Sequence, residues 1–467
     1  MASGLSWDRI RIVHIIGIGG AGMSAIARVL QGRGYVVRGS DKQSSPVTEA
    51  LCREGIGVTI GHAAQLVRGA DLVIASSAVM DDNPEWLAAQ SMGIAVARRP
   101  EVLSELTGEY DVIAVSGAHG KTTITAMLSL LLLDAGLDPT FIVGGTVADL
   151  GSNGRAGQSR WFVIEADEYR NTFLALQPQI AVVTNVEFDH PDCFASPAHV
   201  RLAFGEFVDN IRAGGLLITC CDDAVAREIG AAYQASGGRL VLYGQSAPAE
   251  WRAMDIRPNV AGGVGFTALH AGKPLGRVDL RIPGDFNATN ALAVLAVAEA
   301  LGLDWTQAKQ SLERYTGTAR RLEVLGEAGG VTVIDDYAHH PTQIRGVLRA
   351  IRSRYPGRRV VAAWEPHTFS RIKALLTEFQ SAFGDADRLV ILPIYAAREA
   401  DDGSLSSSSL AREMPHRDVE ATPTLDGAVD LLVSGAQAGD VVVMLGAGKE
   451  YVVGAQVLER LRDQAGG

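Results

Sequence analysis

Apolar residues in this chain come in short unbroken runs more often than in strict alternation. Examples are "RIVHIIG" (11–17), "DLVIASSA" (71–78), "DVIAVSG" (111–117), "WFVIEAD" (161–167), "QIAVVTN" (179–185), "VTVIDDY" (331–337), "RRVVAAWEP" (358–366), "RLVILPIY" (388–395) and "DVVVMLG" (440–446). Runs of this kind suit strands covered on both faces, so they predict parallel sheets with helical crossovers and an α/β fold. Between about Trp251 and Pro283 the pattern changes to alternation with Gly turns, which predicts a small antiparallel insertion. Three blocks emerge: 1–107, Rossmann-like; 108–315, a central parallel sheet carrying that insertion; and 316–467, again α/β. The serine tract Ser404–Leu410 reads as an exposed loop.

The first block opens with "HIIGIGGAGMSAIA", His14 to Ala27, after a strand-like run. Gly17, Gly19 and Gly22 have the G-x-G-x-x-G spacing, and Asp41 follows the strand-like "YVVRGS". This is the outline of a dinucleotide-binding unit. What it reports directly is a diphosphate at a helix N-terminus, a group that NAD and a UDP-sugar share.

The second block opens with a different phosphate loop, "VIAVSGAHGKTTITAMLSLLL". A strand ends at Ser116, Gly117 and Gly120 flank a tight turn with Ala118 and His119, and Lys121, Thr122 and Thr123 open a helix. Backbone amides there cradle phosphate, Lys121 reaches the β- and γ-phosphates, and the Thr122 hydroxyl suits Mg²⁺. Val115 stands where the strict Walker pattern has Gly. Two further strand ends carry acidic and neutral ligands: Glu165, Asp167 and Glu168, then Asn185, Glu187, Asp189, His190 and Asp192. Ligands of open parallel sheets gather at the carboxyl ends of strands, so these three ends are expected to converge. Asp192 and Glu168 read equally well as solvated turn residues or helix caps.

Composition narrows the function. The chain has 467 residues, 47% of them hydrophobic and 20% charged, with a net charge of -11. That acidity argues against nucleic acid and anionic lipid as partners. The 4 cysteines form no C-x-x-C pair and read as thiols in a reducing compartment. The N-terminus lacks the apolar core of a signal peptide, and "AMLSLLLLDAGL" is too short to cross a bilayer. A cytoplasmic protein, monomer or homodimer, is expected.

"SGAHGKTT", "EADE", "TNVEFDH", "GDFNATNALA", "DDYAHHP" and "EPHTFSR" occur in the order of the Mur ligases, ATP-dependent amino-acid-adding enzymes of peptidoglycan synthesis. The chain resembles that family from Ile10 almost to its end. "HIIGIGGAGMSAIA", "GSD" and "ASSAVMDDNPE" are most similar to the branch that joins L-alanine to UDP-N-acetylmuramate. The branch that adds a tripeptide to the same sugar tends to depart from "GIGGxGMS", which this chain keeps.

The resemblance implies a UDP-sugar-binding first domain, a central ATP-binding domain and a C-terminal domain closing on ATP and amino acid. It implies ATP and Mg²⁺, with an acyl phosphate formed on the lactyl carboxylate. Thr122 and Glu165 would hold one metal, and Glu165 and His190 would flank another. Asn287, Asn290, Arg320 and Asp336 would contact ATP along with the loop 117–123. Lys121, His190, His339, His367 and Arg371 would serve catalysis, His340 would face the reaction centre, and Arg371 would clamp the amino-acid carboxylate. Gly17, Gly19, Gly20, Gly22, Met23, Ser24, Asp41, Ser76, Ser77 and Arg398 would contact the substrate.

Three positions depart from the family pattern: Phe286 stands where a His is common, Glu365 where Gln is common, and Lys449 where Asp is common. Two other classes compete. A nicotinamide oxidoreductase leaves the phosphate loop without work, and a P-loop switch ATPase leaves the first block and Arg371 unexplained.

Overall fold

The computed structural model describes residues 7–401 and 403–466; the amino-terminal residues read above for a leader lie partly outside that range. The chain forms two compact units. One comprises 1–187, 198–252 and 290–312, and the other 188–197, 253–289 and 313–467.

The first unit holds two sheets. The amino-terminal sheet is wholly parallel, in the order Gly57–Ile60, Val36–Asp41, Ile12–Ile16, Leu72–Ala75, Ala95–Arg98. Its chain reverses direction of winding between Val36–Asp41 and Leu72–Ala75, and the glycine loop follows the central strand at that point. In the second sheet the strands run Arg239–Gly244, Leu216–Cys220, Ile180–Val183, Asp111–Ser116, Trp161–Glu165, Thr140–Val147, Ser152–Arg155. All of these pair in parallel except the last. Asp111–Ser116 is fully apolar apart from its ends and buried from Val112 onward, which is why its sequence shows no alternation.

The helix that follows the glycine loop, Ala21–Gly32, lies against the Ser152–Arg155 edge. A Cβ at Gly154 would sit 2.6 Å from the Ala25 carbonyl oxygen, so only glycine admits this approach. Asn153 locks it: its amide donates to the Ala21 carbonyl at 2.9 Å and to Ser24 Oγ at 3.1 Å, and it accepts from Arg28 at 2.5 Å. The glycine loop at 17–22 and the loop at 117–120 therefore belong to the same unit.

The second unit carries a mixed sheet in the order Glu323–Ala328, Val331–Asp336, Val441–Leu445, Val360–Trp364, Arg388–Ile391, Val419–Ala421, antiparallel only at its first pair. Apolar clusters cover both faces, one around Trp364, Phe379 and Phe383 and one around Met444, Val453 and Leu432. The predicted antiparallel insertion appears here as the hairpin Val264–His270 with Lys273–Asp279. Among the described residues, no helix is long and apolar enough to cross a membrane.

Candidate active site

In the glycine loop three consecutive amides turn inward. Gly17 and Ile18 donate to the Ser40 carbonyl at 2.8 and 3.0 Å, and Gly19 donates to Asp41 Oδ2 at 2.9 Å. Gly17 has φ 75°, the left-handed region glycine reaches without strain. The next amides, at the start of Ala21–Gly32, lie where a helix has no acceptors of its own. Met23 and Ser24 are buried, the Ser24 hydroxyl donates to Ala21 O and its amide to Gly20 O, so neither the hydroxyl nor the amide of Ser24 is turned outward. Ser76 packs under Gly17, and the Ser77 carbonyl accepts from Arg170 at 2.9 Å.

Beneath this loop lies a cluster that sequence reasoning missed. Glu85, fully buried, accepts from His14 at 2.5 Å, His62 at 2.8 Å and the Ser40 hydroxyl at 2.8 Å. Burial opposes its charge, and the bonds from His14, Ser40 and His62 more than offset that, holding its carboxyl below the ordinary range. Glu85 thus anchors the strand end that receives the loop amides. The only sequence signal was a lone carboxylate opening an apolar helix.

The three strand ends of the central sheet do meet. Gly117 (φ 138°) lies so close to Thr184 that a Cβ would overlap its hydroxyl. The His119 amide donates to Asn185 Oδ1 at 2.8 Å, and its ring meets Glu187 at 3.2 Å. Thr122 Oγ1 donates to Glu165 Oε1 at 3.1 Å, while Glu165 Oε2 accepts from the Gly144 amide at 2.7 Å. Lys121 Nζ donates to the Gly117 carbonyl at 2.5 Å and to both oxygens of Glu168, at 3.0 and 2.8 Å. Glu168 is buried, so of its two readings the solvated turn fails: it is the counter-ion of the phosphate-loop lysine. Burial works against the lysine charge, but Glu168, Asp167 and Glu165 outweigh it, and the ammonium is held above its ordinary pKa. Gly120 (φ 85°) gives way to Asn290, whose Oδ1 would lie 2.7 Å from a Cβ there.

The second unit holds the other candidates. Asp189 and Arg371 form a buried ion pair, Nε to Oδ1 2.7 Å. Arg371 Nη1 also meets His367 Nδ1 at 2.8 Å, and Nη2 lies 3.5 Å from His190 Nδ1. His339 Nε2 stands 3.9 Å from Asp189. Burial disfavours the Asp189 charge, yet Arg371 and the histidines hold its carboxyl well below the usual range. Burial and the Arg371 charge push His367 down to about 3, so it is neutral. His340 caps the helix Pro341–Arg354, accepting from the Thr342 amide, and its Nε2 meets the Phe188 carbonyl at 3.3 Å. Arg398 is exposed on the following loop and adds to the positive field at His367.

Arg320 is enclosed by Glu450 and Asp335, with its guanidinium over the rings of Tyr337 and Tyr451. Asp336 accepts from the Leu322 and Ala338 amides, both at 2.8 Å. Asn287 donates to the Pro283 carbonyl at 2.7 Å, tying the chain ahead of its helix Asp285–Ala300.

Glu365 has an account here that the sequence withheld. It is buried beside Glu450, bonds to it, and accepts from the Lys449 amide at 2.8 Å. Burial and the Glu450 carboxylate push its carboxyl up to about 9, so it is a neutral acid pinning the Gly446–Lys449 turn. Lys449 itself is exposed. An unfolded Glu loses its proton near its ordinary pKa, the folded one near 9, so stability falls as pH rises between those values. Glu365→Gln keeps both hydrogen bonds and removes that loss. Melting temperature against pH is therefore expected to be flatter in the variant, with a gain of a few degrees at pH 8 to 9 and little at pH 5.

Three family models match the chain in succession: "Mur ligase family, catalytic domain" over 12–111, "Mur ligase middle domain" over 115–298, and "Mur ligase, glutamate ligase domain" over 320–448. The UDP-N-acetylmuramate–L-alanine ligase of Caldanaerobacter subterraneus subsp. tengcongensis is 40% identical over 97% of this chain and 98% of its own. That of Frankia casuarinae is 41% identical over 99% and 100%. The solved UDP-N-acetylmuramate-alanine ligase of Thermotoga maritima superposes with a TM-score of 0.83 at 26% identity, covering 98% of this chain and 100% of that one. A murein peptide ligase from Psychrobacter arcticus shares the fold, with a TM-score of 0.75 at 24% identity over 97% and 99%. With three domain models in order and full-length relatives at this identity, the chain belongs to the Mur ligase family.

Proposed function

We propose that this protein is an ATP-dependent ligase that joins L-alanine to the lactyl carboxylate of UDP-N-acetylmuramate in peptidoglycan precursor synthesis. Full-length similarity to L-alanine ligases supports the reaction. The observation that carries the chemistry is the Lys121–Thr122–Glu165–Glu168 constellation at three adjacent strand ends. On this reading the sequence blocks 1–107, 108–315 and 316–467 are the family's three domains.

The chemical problem is to bring a carboxylate up to a triphosphate. The amides at the start of the helix Lys121–Asp134 and the Lys121 ammonium would supply the positive field for the γ-phosphate, the Ala118 and His119 amides being taken by Asn185. Thr122 Oγ1 and a Glu165 oxygen form a pair of hard oxygen donors suited to Mg²⁺, which would neutralise phosphate charge. Glu168 favours the charged form of Lys121 and fixes its ammonium at the strand end. Attack of the lactyl carboxylate on the γ-phosphorus expels ADP and gives an acyl phosphate; the alanine amine then attacks its carbonyl carbon, gives up a proton, and phosphate leaves. Arg371, braced by Asp189, would receive the amino-acid carboxylate, and His339 and His367, both held neutral, add no second cation there.

Purified protein given Mg-ATP, UDP-N-acetylmuramate and single amino acids should release phosphate only when sugar and amino acid are both present, best with L-alanine. Preference for a tripeptide, turnover without the sugar, or reduction of a nicotinamide would overturn the assignment.

A further inference from the structure

The candidate active site gathers at the carboxyl ends of the central strands. Their amino ends, at the opposite end of the same sheet, enclose a cavity of about 390 Å³. Trp161, Ile180, Leu216 and Arg239, each the first residue of a strand, line one side, with Arg160 just ahead of Trp161. The other side is built from two helix ends of the same design. After the helix Lys121–Asp134, the Gly136 amide donates to the Leu133 carbonyl and the Leu137 amide to the Leu132 carbonyl, both at 2.9 Å. After the helix Asp285–Ala300, the Gly302 amide donates to the Glu299 carbonyl and the Leu303 amide to the Ala298 carbonyl, again both at 2.9 Å. Gly136 and Gly302 have φ 71° and 70°, the left-handed turn that closes a helix in this way. Each closure fixes the leucine that follows it, and both leucines line the cavity. The wall is therefore set by backbone hydrogen bonds, with no ligand needed to form it.

The charge at this place runs against that of the chain. Acidic side chains outnumber basic ones 53 to 42 overall, yet the residues lining the cavity include two arginines and no carboxylate. Arg160 is steadied from outside: its Nε donates to Asp111, and its guanidinium stands 5.4 Å from the Trp161 ring. Arg239 Nη1 reaches the Gly214 carbonyl at 3.5 Å. We propose that this cavity is a second ligand site, for a small amphipathic acid with an apolar body and one anionic group. Its volume lies within the span of small-molecule clefts, about 300–1,000 Å³. Helix ends of this polarity carry partial negative charge, so the leucine side takes the apolar body. The anionic group then falls to Arg160 and Arg239, whose forked edges match a carboxylate, sulfonate or phosphate. The site draws on none of the residues assigned to ATP, the nucleotide sugar or the amino acid.

The probe is anilinonaphthalene sulfonate, an aromatic body with one sulfonate, titrated into the whole protein and followed by its fluorescence. Saturable binding of a single equivalent is expected, and it should persist with Mg-ATP and UDP-N-acetylmuramate at saturation. Phenylnaphthylamine, the same rings without the sulfonate, should bind more weakly. Arg160→Ala and Arg239→Ala should each weaken sulfonate binding by about threefold to fivefold, and together by about tenfold or more, the size of exposed charge contacts. Neither should alter the affinity for phenylnaphthylamine. Leu303→Asp sets a carboxylate in the cavity and should abolish binding of both probes. Arg257→Ala removes a like charge from the strand Trp251–Pro258 and should bind the sulfonate as wild type does. Both cavity arginines are exposed, so their double variant keeps the fold and carries the test even if Leu303→Asp does not fold. No saturable binding, displacement of the probe by Mg-ATP or the sugar, equal affinity for the neutral probe, or normal affinity in the double arginine variant would each overturn the proposal.

Discussion

Lys121→Ala is expected to lower phosphate release by at least about a hundredfold, the loss usual when a preorganised charge on a transition state is removed. UDP-N-acetylmuramate binding should stay near wild type, because the glycine loop draws its amides from a different sheet. The substitution also takes the ammonium away from Glu168, a buried carboxylate paired with Lys121 Nζ. Breaking such a pair from one side costs about 3–5 kcal/mol, so the single variant should melt earlier. Lys121→Ala with Glu168→Ala removes both charges and should regain most of that stability while remaining inactive. Single-turnover phosphate release, sugar titration and melting on the same samples separate the two effects. Joint loss of sugar binding and turnover in the stable double variant would mean the two anion sites are wrongly assigned.

What could be read from the sequence divides along a physical line. Backbone-made features were legible: buried strand runs, the turn glycines at 17, 117 and 120, and the strand ends that gather Thr122, Glu165 and Asn185, because each is encoded by neighbours in sequence. The order of the strands was not, since pairing of Asp111–Ser116 with both Trp161–Glu165 and Ile180–Val183 is decided by packing. Side-chain partnerships across long separations were also hidden. Glu85 reads as an ordinary helix-start carboxylate until it meets His14 and Ser40. Asn153 has no motif at all, and Arg99 looks like half of a basic pair until it meets Asp167. The bland reading of Glu168 failed for the same reason: exposure is a property of the fold. Glu365 is the converse case. The substitution was visible at once, but its effect depends on Glu450 standing beside it.

Asp189 and Arg371 illustrate why a buried ion pair points to function more than to stability. Desolvating both charges costs about as much as their attraction returns, and a matched apolar pair would hold the fold as well. Here the pair is further committed: Arg371 Nη1 is taken by His367, leaving the Nη2 edge with one long contact to His190. Asp189→Ala leaves the guanidinium buried without its carboxylate, and Arg371→Ala leaves the reverse. Each should lower melting temperature, with a cost of about 3–5 kcal/mol, and each should cut kcat/KM for L-alanine by about a hundredfold or more. The joint replacement Asp189→Leu with Arg371→Met should recover the melting temperature, because no charge is left buried alone. It should not recover the reaction, because nothing then receives the amino-acid carboxylate. Sugar binding, handled by the first unit, should be unchanged in all three variants. A joint variant that is both stable and active would show that the pair is only structural, and that the amino acid is recognised elsewhere.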